Sequence, residues 1–313
     1  MYAFLDPRPC VCPATLLTRA KEGQRRTRVA VANAGGELSI ASCKAAFDAD
    51  LIEPVLIGES EDIRRAAESL EWDITPFELI ETSDEETAAR VATSAVREGR
   101  ADVLMKGQLH TDVLMRAALD RDQGLRAGRR FVHVFHLTTP ETDRPLILSD
   151  CAVNVLPDVA TRKVAVSCVI EVCRSVGLGE PKVALLSATE EASSSVPSSV
   201  EADEIVRWGR AAYPAAMFSG PLAMDIILSK EAARIKGRSA DPVSGDADAI
   251  VVPDLVTGNA LFKTFVYLRA ACAAGIVLGG TAPIVLTSRA DPPEARLASL
   301  ALASTLALEA ATS

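Results

Sequence analysis

The sequence predicts an α/β protein built from two doubly wound lobes around a cleft. Three observations carry that expectation. Apolar runs of strand length alternate with helical patterns along the chain, joined by short connections, and that order implies parallel strands with right-handed crossovers. Hydrophobic residues make up 49% of the 313-residue chain but aromatic ones only 4%, so the core is built from Ala, Val, Leu and Ile, as in parallel sheets covered by helices. Two late stretches, Ala247–Lys263 and Ala282–Asp291, each begin as an apolar run, stop in polar residues and pass into a helical pattern.

In chain order, the opening residues to about Arg26 hold three prolines and a short helix around Leu16. Arg28–Ala34 is the first strand, followed by Gly35-Gly36 and a helix to Asp50. Pro54–Gly58 reads as a strand, Ser60–Leu70 as a helix capped by Ser60, and Phe77–Ile80 as a short strand. Ser83–Gly99 is a helix opened by Ser-Asp-Glu-Glu, in which Glu86 can reach back to the cap. Ala101–Lys106 is the next strand, with a helix near Asp112–Asp120. Phe131–Leu137 and Pro145–Ser149 are expected to form an antiparallel pair added to the sheet.

A helix from Asp158 to Val176 leads to Pro181–Ser187 and a second βα series. Helices are expected at Ser199–Tyr213, Leu222–Gly237 and Asn259–Ala273, strands at Ala249–Val252 and Ile284–Leu286, and a closing helix at Pro293–Ala311. The expected first lobe is 1–157 plus 282–313, and the second is 158–281.

A net charge of −9 argues against a general nucleic-acid binder, which needs a basic face. No apolar run is long enough to span a bilayer, and Met1–Pro9 lacks the apolar core of a signal peptide. The expected location is the cytoplasm. Seven cysteines without zinc-site spacing read as free thiols of a reducing compartment.

Ligands in open α/β sheets sit at the carboxyl ends of strands. Asp254, Thr257, Gly258, Asn259, Lys263, Ser288 and Arg289 occupy two such ends and are expected to face one crevice. Each turn taken singly is an ordinary βα connection; together, each with a cation and a hydroxyl, they point to an anionic substrate. The phosphate-loop, dinucleotide-turn, nucleophile-elbow and HExxH motifs are absent. Of three histidines, His133 and His136 lie three apart on a strand and point to opposite faces, which suits structural roles. His110 follows a strand end in Met105-Lys106-Gly107-Gln108-Leu109-His110-Thr111-Asp112, with Arg116 one turn beyond Asp112, and is either a catalytic-loop residue or part of a capping turn. Ser187–Ser199 is rich in hydroxyls between a strand and a helix, suited either to cradle phosphate or to form a solvated turn in which Ser198 and Glu201 make a capping box.

Residues 105–116, 148–154, 182–190, 220–225, 245–255 and 286–291 resemble the phosphate acetyl/butyryltransferase family, in order and at sensible spacings. Their spelling is most similar to the acetyltransferase domain that follows an enoyl-CoA-hydratase-like domain in bifunctional relatives. The resemblance implies two α/β lobes with an isocitrate/isopropylmalate dehydrogenase-like architecture, in which the C-terminal helix returns to the first lobe. It implies interconversion of acyl-CoA plus phosphate with acyl phosphate plus CoA, a homodimer, and no tightly bound cofactor or metal, coenzyme A being a substrate. Ser288 and Arg289 match the family's Ser-Arg pair near the thiol, and Arg116 an arginine that holds phosphate. Lys106, His110, Thr111, Ser187 and Thr189 fall within the matched stretches as candidate substrate-binding residues.

One position departs from the pattern. The acetyltransferase aspartate seven residues after the Ser is here Ala295, leaving Asp291 or Glu294 as base. Ser-Arg-Ala-Asp is similar to the butyryltransferase spelling and favours Asp291, while Glu294 equally suits a first-turn partner of the helix dipole. The expected activity is phosphate acetyltransferase, with butyryl or propionyl transfer as alternatives. A metal- and nicotinamide-dependent decarboxylating dehydrogenase, or a non-catalytic CoA- or phosphate-binding regulator, are the rivals from other classes.

Overall fold

The computed structural model describes residues 8–23, 25–288 and 290–312. The chain divides into two compact units, one of residues 10–131 with those from 274 onward, the other of residues 132–273 with Arg8 and Pro9.

The first unit opens with α1 (Ala14–Ala20), β1 (Thr27–Ala32), α2 (Glu37–Asp48) and β2 (Ile52–Gly58). It continues through α3 (Ser60–Ser69), β3 (Leu79–Glu81), α4 (Glu85–Arg97), β4 (Val103–Lys106) and α5 (Thr111–Leu119). Burial explains the strands, since Val29, Ala30, Val31 and Ala32 are wholly enclosed, as are Leu104 and Met105. Only a strand covered on both faces tolerates four apolar residues in a row. The helices supply small faces to cover them: α4 buries Ala88, Ala89, Ala92, Ala95 and Val96.

The second unit begins with the antiparallel pair β5 (Val132–Thr139) and β6 (Thr142–Ser149), then α6 (Val159–Ser175), β7 (Lys182–Leu186) and α7 (Pro197–Ala212). There follow β8 (Met217–Leu222), α8 (Met224–Leu228), α9 (Lys230–Ile235), β9 (Ala249–Val251) and α10 (Leu255–Arg269). Its strands run in the order β5-β6-β9-β7-β8, around a core that includes Leu148, Ala184, Leu222, Ile226 and Ile250.

The chain then supplies β10 (Cys272–Leu278), β11 (Ile284–Val285) and α11 (Pro293–Thr312) to the first unit, whose strand order is β3-β2-β1-β4-β11-β10. β1 pairs in parallel with β2 and β4, and β11 in parallel with β4; β10 is antiparallel to β11. The C-terminal helix packs against α1 and α2, as the resemblance implied.

Several elements differ from expectation. The units part after Phe131 and Ala273, not near Pro157 and Thr281, because β6 pairs in parallel with β9 (Ile147 opposite Ala249) and holds the hairpin in the second unit. β8 and β10 were not expected as strands: β8 contains Gly220-Pro221, and β10 begins in an Ala-rich run that reads as the tail of α10. That helix ends at Ala270, held at φ 52°, where the usual sequence signal is glycine. Leu222–Gly237 is two short helices separated at Ser229, whose side chain caps the second.

The caps also move. Asp84, not Ser83, accepts the Thr87 N–H at the head of α4. Ser60 is not the cap of α3 but gives its N–H and hydroxyl to Glu81. Ser198 makes no capping box; its hydroxyl meets that of Ser187 at 2.9 Å.

His133 and His136 are both buried on β5, each with an Nδ1 lacking a partner. Burial lowers both affinities for a proton, that of His136 to about 4. Because the folded value lies below the unfolded one of about 6.5, the unfolded chain takes up the proton first and stability falls as pH drops from about 6.5 toward 4. We expect the urea midpoint to decrease between pH 7 and pH 5.5, and the decrease to shrink in a His133→Gln/His136→Gln variant. A slope unchanged in that variant would assign the pH dependence to other groups.

Candidate functional site

In the first unit the chain leaves β1 toward β2 on one side, while β4 lies on the other. That reversal of strand order opens a crevice at the carboxyl ends of the strands. The ends are tied together there. Gly107 N–H donates to the Ala32 carbonyl at 2.9 Å and Gln108 N–H to that of Asn33 at 2.7 Å. The Asn33 side chain donates back to the Gln108 carbonyl at 2.6 Å, with Asn33 held at φ 54°. A Cβ on Gly107 would lie 2.3 Å from the Asn33 oxygen, so only glycine permits the approach.

Above these ends lies a cavity of about 430 Å³, lined by residues that include Gly36, Lys106, Gln108, Ser288 and Arg296. Of the sequence candidates, Lys106 and Ser288 meet here. Arg289, beside Ser288 in the chain, lies outside the described residues. Asp291 turns back on Ser288: the Ser288 N–H donates to Asp291 Oδ2 at 2.7 Å, and the Asp291 N–H to the Ser288 carbonyl at 3.1 Å. Arg296 donates to the Asp291 carbonyl oxygen. Burial pushes the Asp291 carboxyl above its ordinary range, against the smaller opposing pull of the Ser288 N–H and Arg296. Glu294 makes itself felt instead on Cys12, whose thiol is pushed up to about 12, by burial first and then by Cys10 and Glu294.

Arg116 does not line this cavity. It is exposed on α5, in a groove shared with α4, and pairs with Asp112 at 3.0 Å and Glu86 at 3.8 Å. His110 is the cap residue of α5, though its side chain makes no capping bond. Its backbone N–H donates to Glu85 at 3.0 Å and its ring Nδ1 lies 3.1 Å from the same carboxylate, whose affinity for a proton is lowered by those contacts. Thr111 follows as the exposed first residue of α5.

The second unit gathers another set. Asp254 caps α10 by accepting the Thr257 N–H at 2.8 Å and its hydroxyl at 3.1 Å. Gly258 packs onto β6, where a Cβ would lie 2.3 Å from the Asp150 carbonyl oxygen. Asn259 donates to the Cys151 carbonyl at 3.3 Å. The Asp150 carboxylate accepts the N–H groups of Ala152, Val153 and Asn154, and the Asn154 side chain at 2.6 Å. Lys263 is exposed further along α10. Ser187 is buried at the end of β7 against Ser198, and the Thr189 hydroxyl accepts the Glu191 N–H at 3.4 Å.

A family model described as phosphate acetyl/butaryl transferase matches residues 82–304. The chain belongs to this family. It is an acyltransferase. A phosphate acetyltransferase of Rhizobium meliloti is 41% identical, over 87% of this chain and 86% of the relative. A phosphate butyryltransferase of Clostridium acetobutylicum is 34% identical, over 90% and 93%. The crystal structure of a branched-chain phosphotransacylase from Enterococcus faecalis V583 superposes with a TM-score of 0.77 at 30% identity, covering 90% of this acyltransferase and 99% of that chain. The acyltransferase therefore has the dehydrogenase-like α/β fold of the phosphotransacylases.

Sequence reasoning missed Gly36, Gln108 and Arg296 as lining residues. Gly35-Gly36 after the first strand was the available signal, but its meaning depends on β4 being the neighbour of β1, which no local pattern states. Gly107→Ala is expected to cost up to about 3 kcal/mol, the range for forcing an atom into filled space; urea unfolding measures it, and a loss below about 0.5 kcal/mol would mean that the junction relaxes freely.

Proposed function

We propose that this acyltransferase is a phosphate acetyltransferase, converting acetyl-CoA and phosphate to acetyl phosphate and CoA. The observation that carries the reading is the half-buried Asp291 carboxylate held on the backbone N–H of Ser288, a residue that lines a cavity together with Lys106. A carboxylate with a raised proton affinity is a better base toward a thiol than a solvated one.

In the direction of CoA acylation, Asp291 takes the thiol proton and the thiolate attacks the carbonyl carbon of acetyl phosphate within a ternary complex. The C–S bond forms, the bond from that carbon to the bridging oxygen breaks, and phosphate leaves with the electron pair. Ser288 and Arg289 stabilise the charge that builds on the carbonyl oxygen, and Arg116 and Lys106 that of a phosphate. For Arg116 this means exchanging its ion pairs with Asp112 and Glu86 for the substrate. Asp254, Thr257, Gly258 and Asn259, with Ser187 and Thr189, shape substrate-binding turns, and Lys263, His110 and Thr111 complete the polar set. Acetyl is preferred over butyryl because the Rhizobium meliloti relative is the more similar of the two named above; a methylene or two in a pocket is worth about 1–3 kcal/mol. We take the enzyme to act in the cytoplasm as a homodimer. The sparse burial of α10, with Val256 71% and Tyr267 42% exposed, supplies an apolar face for a second copy.

Phosphate-dependent release of CoA thiol, measured with acetyl-CoA and butyryl-CoA in parallel, with and without chelator, tests the reading. Faster release from acetyl-CoA, dependent on phosphate and indifferent to chelator, is expected. Faster release from butyryl-CoA would transfer the assignment to that acyl group, and no release from either would leave a CoA-binding regulator. The rate should fall as pH drops through the raised value of Asp291, at higher pH than the value of about 3.9 for a solvated aspartate. Asp291→Asn should lower turnover about 10²–10⁴-fold, while Glu294→Gln keeps the acid limb; the opposite pattern would make Glu294 the base. Arg289→Ala and Arg116→Ala should each cost on the order of a hundredfold in turnover, and a variant with near-parental rates would drop that residue from the mechanism.

A further inference from the structure

In the second unit the turns that carry Ser187 and Asp254 follow the carboxyl ends of β7 and β9. A separate groove lies at the amino ends of the same parallel strands. β8 is the outermost strand of the order and runs parallel to β7. Its start, at Met217 and Phe218, borders the groove together with Arg210 from the last turn of α7 and with Arg238, Asp241 and Pro242 from the segment between α9 and β9. The groove measures about 620 Å³, within the range of about 300–1,000 Å³ typical of small-molecule sites. None of these residues belongs to the acyl-transfer mechanism.

Both arginines are anchored by backbone rather than by acid. Arg210 donates to the Phe218 carbonyl from Nε at 3.3 Å and from Nη2 at 2.9 Å. Its guanidinium thereby covers a carbonyl of the edge strand, which blunts that edge against a further strand. Arg238 is fixed by the way α9 stops: Gly237 takes φ 70°, and the Arg238 N–H donates to the Ala233 carbonyl at 2.7 Å, a left-handed turn of the kind that commonly ends helices. The Arg238 side chain then reaches the Glu190 carbonyl, Nη2 donating at 2.7 Å. Among the described residues neither arginine forms an ion pair. Asp241 is the one carboxylate among the described lining residues, and it is engaged, accepting the Ser219 hydroxyl and the Val243 N–H, the latter at 2.9 Å. Two guanidiniums against one carboxylate leave a formal excess of one positive charge.

A guanidinium held on a carbonyl keeps further N–H groups for an incoming acceptor, and its planar fork matches a carboxylate. Anchoring also reduces the side-chain ordering that binding would otherwise require. Two such forks from separate elements, beside the apolar surface of Met217 and Pro242, suit an anion whose two carboxylates are joined by a short methylene chain. A bare inorganic anion would leave that apolar surface uncovered. We propose that this groove is a binding site for a small dicarboxylate, held by Arg210 and Arg238 at the amino ends of the second unit's strands. The inference depends neither on the acyl group transferred nor on the transfer reaction itself.

The test is an amide NMR titration of the full chain with succinate, and with inorganic phosphate in a parallel arm. Ionic strength is held constant with sodium chloride, because salt screens exposed charges. Saturable shifts at Met217, Phe218 and Asp241 are expected with succinate, at lower concentration than with phosphate. Arg210→Gln and Arg238→Gln should each bind succinate at least tenfold more weakly than the parent. Silence of these amides toward succinate would overturn the proposal, as would a folded double variant that binds succinate as tightly as the parent. Phosphate binding as tightly as succinate would also overturn it, by reducing the groove to a general cationic patch. If the variants do not fold, the comparison of succinate with phosphate on the parent chain decides.

Discussion

Much of the first unit depends on how closely the ends of β1 and β4 approach. Two N–H groups just past β4, of Gly107 and Gln108, reach the carbonyls of Ala32 and Asn33 at the end of β1 because Gly107 has no side chain to hold them apart. Asn33, in a left-handed conformation, returns a third hydrogen bond. This junction sets the spacing of the two strand ends, and hence the floor of the cavity that Lys106, Gly36 and Ser288 line. The strands are held by their own ladder, and these three bonds tie their ends together.

Above that floor, the Ser288–Asp291 turn faces a balance of solvation and charge. Burial raises the carboxyl's affinity for a proton, and one N–H and Arg296 pull it back. Arg296 donates to the backbone carbonyl of Asp291, so it steadies the turn without neutralising the carboxylate through a direct hydrogen bond. The carboxyl keeps its raised affinity for a proton because Arg296 is engaged on the backbone of the same residue.

The sequence made the repeating strand and helix order legible, along with the residues at strand ends, because buried apolar runs and polar punctuation are local signals. What it concealed was long-range. β10 reads as helix because Cys272-Ala273-Ala274 has no strand character of its own; its pairing with β11 makes it a strand. The caps of α3 and α4 were misplaced by one residue, since Ser, Asp and Glu in a row offer several equivalent acceptors and only the backbone geometry chooses. At the site, Ser288, Asp291 and Lys106 were visible as polar residues ending strands. Arg296 was not, because one arginine in an Ala/Leu-rich helix gives no sign of which neighbour it will meet. Arg116 was legible as a cation one helical turn beyond Asp112, yet its pairing with Glu86 depends on α4 and α5 lying side by side.

In the second unit, Gly258 lies hard against the Asp150 carbonyl while Asn259 hydrogen-bonds to Cys151. The start of α10 and the turn after β6 are thereby clamped by backbone on one side and an amide on the other. The Asp150 carboxylate accepts the N–H groups of Ala152, Val153 and Asn154 in its own turn. The two segments must move as one lever: a force that tilts α10 pulls the Asp150 turn with it, so motion at either end is transmitted mechanically to the other.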